Sequence, residues 1–387
     1  MKRRDVLVGV VGTGTAALGG CLGPRGDDGD GTERAEPLDP SIGGAPMFQY
    51  DTRNSGAADD ERETLGEERF ETAIGDPIRS SPAIVDGVVY VCSGRRVFAV
   101  DAVDGERLWS AEANGTLRSS PAVVDGTVYA GTRSDLLCAF DAEEGTERWR
   151  FEANGPIDAS AAVSEGTVYV ASRATDGRVY AVDADDGTER WRFETDYRVV
   201  SSPAVGEDTV YVGGWDSSVY AIDADDGTEQ WTFGTEQPVL SSPAVAEGTV
   251  YVGGNDDTLY AIEGATGELR WRVETGGIAT TPAVAGGAVY VGTETDDGRV
   301  YSIDTADGTE RFRVDVGTAV TTPPSVAGDG VHFGLRNGHV VSYDTDDGTE
   351  RWRVETGSEV RSTPTVAAGT TYIGSTDGRL YGFGDTG

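Results

Sequence analysis

From Ser80 to the end of the chain the sequence repeats one unit, and this constrains the fold more than length can, because each unit must bury its apolar faces against further copies of itself. A Ser/Thr pair and a proline open the unit. The proline falls at Pro82, Pro121, Pro203, Pro243, Pro282, Pro323 and Pro364, with Ala161 in its place once, at intervals of 39 to 42 residues. Behind it come an Asp-Gly or Glu-Gly turn, a TVYVGG-like run, a second turn, an RVYAID-like run and the stretch DADDGTERWRFET. Such a unit predicts four short strands of β-branched and aromatic residues separated by turns.

The spacing Ala-x-Asp/Glu-x-x-x-Gly-x-x-x-Trp/Phe holds from Ala99 to Trp109, Ala139 to Trp149, Ala181 to Trp191, Ala221 to Trp231 and Ala261 to Trp271. With serine first it continues from Ser302 to Phe312 and Ser342 to Trp352. In these residues the chain resembles the pyrroloquinoline-quinone (PQQ) repeat family of β-propellers. The resemblance covers about residues 45–387, and within that family the size fits the BamB-like lipoproteins, eight-bladed propellers that assist outer-membrane protein assembly. The residues argue the blade count independently. Eight units begin, but the last stops at Tyr381-Gly382-Phe383 without a fourth strand, whereas Glu68-Arg69-Phe70-Glu71-Thr72 matches that strand ahead of the first unit. The prediction is an all-β, eight-bladed propeller of four-stranded blades, closed by the N-terminal strand completing the last blade.

Ahead of the ring, Arg3 and Arg4 precede an apolar stretch from Val6 to Leu18 that is too short to span a bilayer. Residues 1–20 read as a signal peptide whose paired arginines suggest twin-arginine export. Leu18-Gly19-Gly20-Cys21 resembles a lipobox, which implies lipid on Cys21; simple cleavage is the alternative. Residues 21–44 hold almost no large apolar side chain and read as a disordered acidic tether. The propeller, residues 45–387, is thus expected outside the cell, anchored to the outer face of the cytoplasmic membrane.

Charge narrows the function. The chain has 31 basic and 67 acidic residues, a formal charge of −36, and Lys2 is its single lysine. That sign opposes the electrostatics of nucleic-acid binding. The balance resembles extracellular proteins of salt-requiring archaea. Quinone dehydrogenases of the family hold calcium through Glu, Asn and Asp oxygens, use a base carboxylate and often carry adjacent cysteines. This chain has no adjacent cysteines, and Cys92 and Cys138 read as buried free thiols. The DADDG turns place glycine one residue early for a calcium loop. His332 and His339 fall on two different strand positions and make no metal site, and the Ser/Thr pairs have no base beside them. Neither PQQ nor calcium is expected, and no catalytic residue is assigned.

Six of the seven tryptophans occupy one repeat position and read as interblade packing. Candidate partner contacts come from departures from the repeat on the rim bearing the second turns and interblade connections. Arg95, Arg96, Arg118, Arg133, Arg173, Tyr197, Arg198 and the out-of-register Trp215 are assigned there. Arg79, Arg178, Arg361 and Arg379 adjoin them, and Asn255, Asp256, Asp257, Glu294, Asp296 and Asp297 form an acidic sector across the ring. The opposite rim reads as uniformly acidic and solvated. The reading is a monomeric, non-catalytic, membrane-anchored scaffold binding a protein. The alternatives are a PQQ-dependent sugar or alcohol oxidoreductase and a cell-surface glycan-binding or adhesion module.

Overall fold

The computed structural model describes residue 45 and residues 47–58, 66–277 and 280–384. The tether and export signal, with Arg3, Arg4 and Cys21, lie outside the described residues. Those described form eight four-stranded antiparallel sheets. Blade 1 runs Ala83–Val85, Val88–Ser93, Arg96–Asp101 and Arg107–Glu112 from the axis outward, and six further blades repeat it. Blade 8 takes Thr365–Ala367, Thr370–Gly374 and Arg379–Gly384 from the C-terminal end and Glu68–Ala73 from the N-terminal end, with Glu71 opposite Tyr381. The ring closes as the sequence predicts.

The eleven-residue spacing has a physical reason. Five of the six fourth-strand tryptophans donate the indole N–H to a carbonyl in the next blade: Trp109 to Ala142 (3.0 Å), Trp149 to Ala184 (3.0 Å), Trp191 to Ala224 (2.8 Å), Trp231 to Gly264 (2.8 Å) and Trp271 to Thr305 (2.9 Å). Several of these carbonyls also accept a second-strand tyrosine, as Ala184 does from Tyr129 at 3.3 Å. The next blade's turn glycine lies on the indole. Gly227 has φ +76°, and a Cβ there would stand 2.7 Å from Trp191 Cδ2. The position requires a left-handed backbone and no side chain at once. The turn aspartates are held locally: Asp183 accepts the backbone N–H of Asp185 (2.9 Å) and the Arg190 guanidinium (2.8 Å), which keeps its carboxyl below the usual range.

The opening Ser/Thr pair is explained too. Its first hydroxyl ties the inner strand to the second strand, as Ser201 does by donating to the Gly213 carbonyl and accepting the Gly213 N–H. Its second hydroxyl accepts a backbone N–H from the preceding blade. The series Thr363→Ser81→Ser120→Ser160→Ser202→Ser242→Thr281 runs around the axis at 2.9 to 3.0 Å. These hydroxyls form a series around the axis that is buried and used between blades.

One anchor shifts. In blade 7 the proline before the inner strand Ser325–Ala327 is Pro324, so Pro323 occupies the ring-hydroxyl position and the anchor was placed one residue early. Proline has no N–H to donate, and Thr363 Oγ1, where that N–H would arrive, is buried without a partner. Further unpartnered buried atoms belong to blades 7 and 8: both His332 ring nitrogens, His339 Nδ1, Ser342 Oγ, Trp352 Nε1 and Thr371 Oγ1. His332 fills the strand position of Tyr290, as expected, is fully buried and stacks on Trp352 at 5.3 Å. Buried polar groups without partners each cost roughly 1–3 kcal/mol, so these atoms weaken blades 7 and 8.

The axis is occupied by the chain itself, which the sequence did not reveal. Ala45 and residues 47–58 lie across the channel and bond the inner strands of six blades. Ala45 pairs with Ile84, and the carbonyls of Thr52, Arg53, Ser55 and Gly56 accept from Val205, Val245, Val284 and Val326. Tyr50 OH accepts from Val366 N–H at 2.7 Å and bonds Ser325 Oγ. Asn54 Nδ2 points at the carbonyls of Pro203 (3.2 Å) and Pro243 (3.1 Å). Gln49 is buried with no partner for its amide.

Candidate functional site

The second turns and interblade connections lie together on one rim, so the assigned residues share a face. One repeat position in the second turn, within two residues of the end of the second strand, is held by Arg133, Arg173, Trp215, Asn255, Glu294 and Arg336 in blades 2 to 7. The residue three before each inner-strand proline forms a second series, with Arg79, Arg118 and Arg361 in blades 1, 2 and 8 and Asp158 in blade 3.

Local pairing takes up much of this charge. Arg133 binds Asp158 with two hydrogen bonds, at 2.9 and 3.1 Å, and Arg173 reaches the same carboxylate at 3.0 Å. Arg95 and Arg96 approach Glu112 at 4.0 and 3.5 Å, Arg178 binds Glu194 at 2.8 Å, and Arg361 binds Glu359 at 2.9 Å. Arg379 pairs with Glu71. Arg79 and Arg118 make no ion pair with a described residue. Burial pushes the Arg118 guanidinium below its ordinary range, and Arg133 and Arg79 push it further. Arg79, Arg95 and Arg118 line a recess of about 190 Å³ with Thr116 and Asp76.

Three expectations need correction. Trp215 and Tyr197 are half-buried, not exposed. The indole N–H of Trp215 is buried, and Arg198 lies over the Tyr197 ring at 5.2 Å. The acidic sector is not a free counter-face: Asp256 accepts from Tyr260 OH (2.7 Å) and from Thr258 N–H, while Asp296 and Asp297 pair with Arg336 and Arg299. Glu294 is left at the mouth, its pKa raised by desolvation against the pull of Arg361 and Arg336. Third, the opposite rim is not uniformly acidic, since Val103 and Leu108 are exposed there.

Cys92 and Cys138 are free and buried in one apolar cluster, as expected, and burial pushes the Cys138 thiol up to about 11. Among the described residues no three His, Cys, Asp or Glu side chains converge as a metal site would require. A ligand on the axis would have to share the channel with residues 47–58.

The family model described as outer membrane protein assembly factor BamB matches residues 61–136, 93–216, 133–242, 215–315 and 296–387. No curated protein sequence matches the chain. Among solved structures the chain is similar to BamB from Moraxella catarrhalis, at 21% identity over 83% of this chain and 100% of that one, with TM-score 0.71. It is similar to the quinohemoprotein alcohol dehydrogenase of Comamonas testosteroni at 15% identity over 89% and 81%, with TM-score 0.77. It is also similar to the computationally designed Ika8 protein at 17% identity over 83% and 100%, with TM-score 0.75. An assembly factor, a dehydrogenase and a designed protein share this ring, so at these identities the likeness shows the fold alone.

Proposed function

The chain belongs to the family described as outer membrane protein assembly factor BamB, and on that footing we propose that it is a protein-binding scaffold that catalyses no reaction itself. The observation that carries this reading is the recess on the arginine rim. In a chain of net charge −36, Arg79 and Arg118 share the recess with no ion-pair partner among the described residues, and their charges repel each other. Such a site gains from a partner's carboxylates, and Arg95, Arg96, Arg133, Arg173, Arg198, Tyr197 and Trp215 extend the contact around it. Export through the Arg3–Arg4 signal, lipid on Cys21 and the tether of residues 21–44 would hold a monomeric ring on the outer face of the cytoplasmic membrane, in a high-salt setting. Outer-membrane assembly is not carried over with the fold.

The test is cross-linking of the full chain in membranes at molar salt, comparing wild type with Arg79→Glu plus Arg118→Glu. Loss of a partner captured by wild type is expected. An unchanged cross-linked set overturns the rim assignment. The second reading, a PQQ-dependent oxidoreductase, is kept because a quinohemoprotein dehydrogenase has the same ring. Residues 47–58 on the axis and the lack of a converging donor set among the described residues weigh against it. Titration of the purified chain with PQQ and calcium decides the matter: a bound-quinone spectrum with dye reduction would replace the scaffold reading.

A further inference from the structure

On the rim opposite the arginines the repeat builds a ladder of ion pairs. In five of the blades an outer-strand arginine reaches back to the carboxylate ending the third strand, as Arg148 does to Asp141 (2.7 Å), Arg190 to Asp183 (2.8 Å), Arg311 to Asp304 (2.8 Å) and Arg351 to Asp344 (3.1 Å), and in blade 4 Gln230 takes the arginine's place beside Asp223. In blades 2 and 3 the same guanidinium also donates to a second-strand threonine, Arg148 to Thr127 at 2.5 Å and Arg190 to Thr167 at 2.6 Å. Blade 1 replaces both partners. Leu108 stands at the arginine position and Val88 at the threonine position.

The paired replacement turns a polar bridge into an apolar opening. Leu108 is 50% exposed, and a cavity of about 520 Å³ lies between blades 1 and 2. Its walls are Val85, Val88, Leu108 and Trp109 on one side and Val123 and Ala142 on the other. Its edge carries Asp86, Asp125 and Glu143, none of which makes an ion pair with a described residue. The lining's one cation, Arg148, is already held by Asp141. An apolar floor inside a ring of free carboxylates matches one kind of occupant: the floor removes aliphatic or aromatic surface from water, and the edge attracts cations and repels anions.

We propose that this cleft docks an apolar side chain of a partner protein, presented on a segment with lysine or arginine on either side of it. This is a second contact face, independent of the arginine rim, and it would let the ring hold two partners of opposite charge character.

Calorimetric titration of the full chain with the peptide acetyl-Lys-Leu-Lys-Phe-Lys-amide tests the proposal, at low and at molar salt. The variant Leu108→Arg plus Val88→Thr rebuilds the ladder that blades 2 and 3 carry, so a folded ring is expected, checked by its unfolding transition. Wild type should bind the peptide, and the variant at least tenfold more weakly. Twins with glutamate for lysine, or glycine for leucine and phenylalanine, should not bind. Affinity unchanged within twofold in the variant overturns the proposal. Equal binding of the glycine twin would reduce the effect to ionic adsorption, and equal binding of the glutamate twin would remove the charge argument. Concentration-dependent self-association abolished by the variant would assign the cleft to a second copy of this chain instead.

Discussion

Replacing His332 with phenylalanine should flatten the dependence of stability on pH. His332 is fully buried against Trp352, with neither ring nitrogen bonded. Burial, with a smaller contribution from Arg351, lowers its pKa from 6.5 to about 3. In the unfolded chain it titrates normally near 6.5, so below that value the unfolded state binds a proton that the folded state refuses. The sign follows: this contribution is intact above about pH 7.5 and is lost as the pH falls through 6.5 toward 3. At pH 5 the unfolded imidazole is protonated by a factor of about 30, and the folded state pays RT ln 30, about 2 kcal/mol. That magnitude holds for any folded pKa well below 5. The assay is guanidinium unfolding of wild type and His332→Phe at pH 7.5 and pH 5, taking the difference of differences so that the many carboxylates cancel. Wild type should lose about 2 kcal/mol more than the variant on acidification. A difference under about 0.5 kcal/mol would show that the imidazole already holds its proton in the folded ring, by a partner or water, and would refute the reasoning.

Two further outcomes follow from the packing. Gly227→Ala should cost about 3 kcal/mol in unfolding measurements, because it combines a left-handed backbone with a Cβ 2.7 Å from the Trp191 ring, whereas Gly248→Ala, at φ +71° with nothing within 4 Å, should cost only the conformational part, about 1–2 kcal/mol. Asn54→Ala should speed amide exchange at Val205 and Val245, whose N–H groups bond the adjacent Thr52 and Arg53 carbonyls, and leave Val128 in blade 2 unchanged.

The ring was legible because its causes are periodic. The spacing from Ala181 to Trp191 encodes a turn glycine and an indole that must meet across a blade boundary, and the ERFET stretch at Glu68 betrays the missing fourth strand. The Pro323-Pro324 pair misled by one residue because either proline satisfies the motif and only the inner strand's register chooses. Ala45 and residues 47–58 carry no repeat and no alternation, since their contacts are backbone carbonyls and a few polar side chains laid across six different blades; nothing in their pattern signals an axial role. The rim residues were placed on the correct face, but whether an arginine is free depends on a carboxylate in the next blade. Arg133 and Arg118 look alike in sequence and differ in Asp158. The Leu108 and Val88 departure is written in the repeat, but the cleft it opens depends on the packing of blade 1 against blade 2, which the repeat does not show.

Blade closure has a kinetic consequence. Seven blades take their strands from consecutive sequence, so each can form as a local event, whereas the eighth waits for Glu71 to find Tyr381 at the far end of the chain. The equilibrium cost of that distance grows only logarithmically, but the time of the search does not benefit from this. The contacts of Phe70 with Tyr372 and of Glu71 with Arg379 join strands more than 300 residues apart in sequence, and they form only when the ring closes.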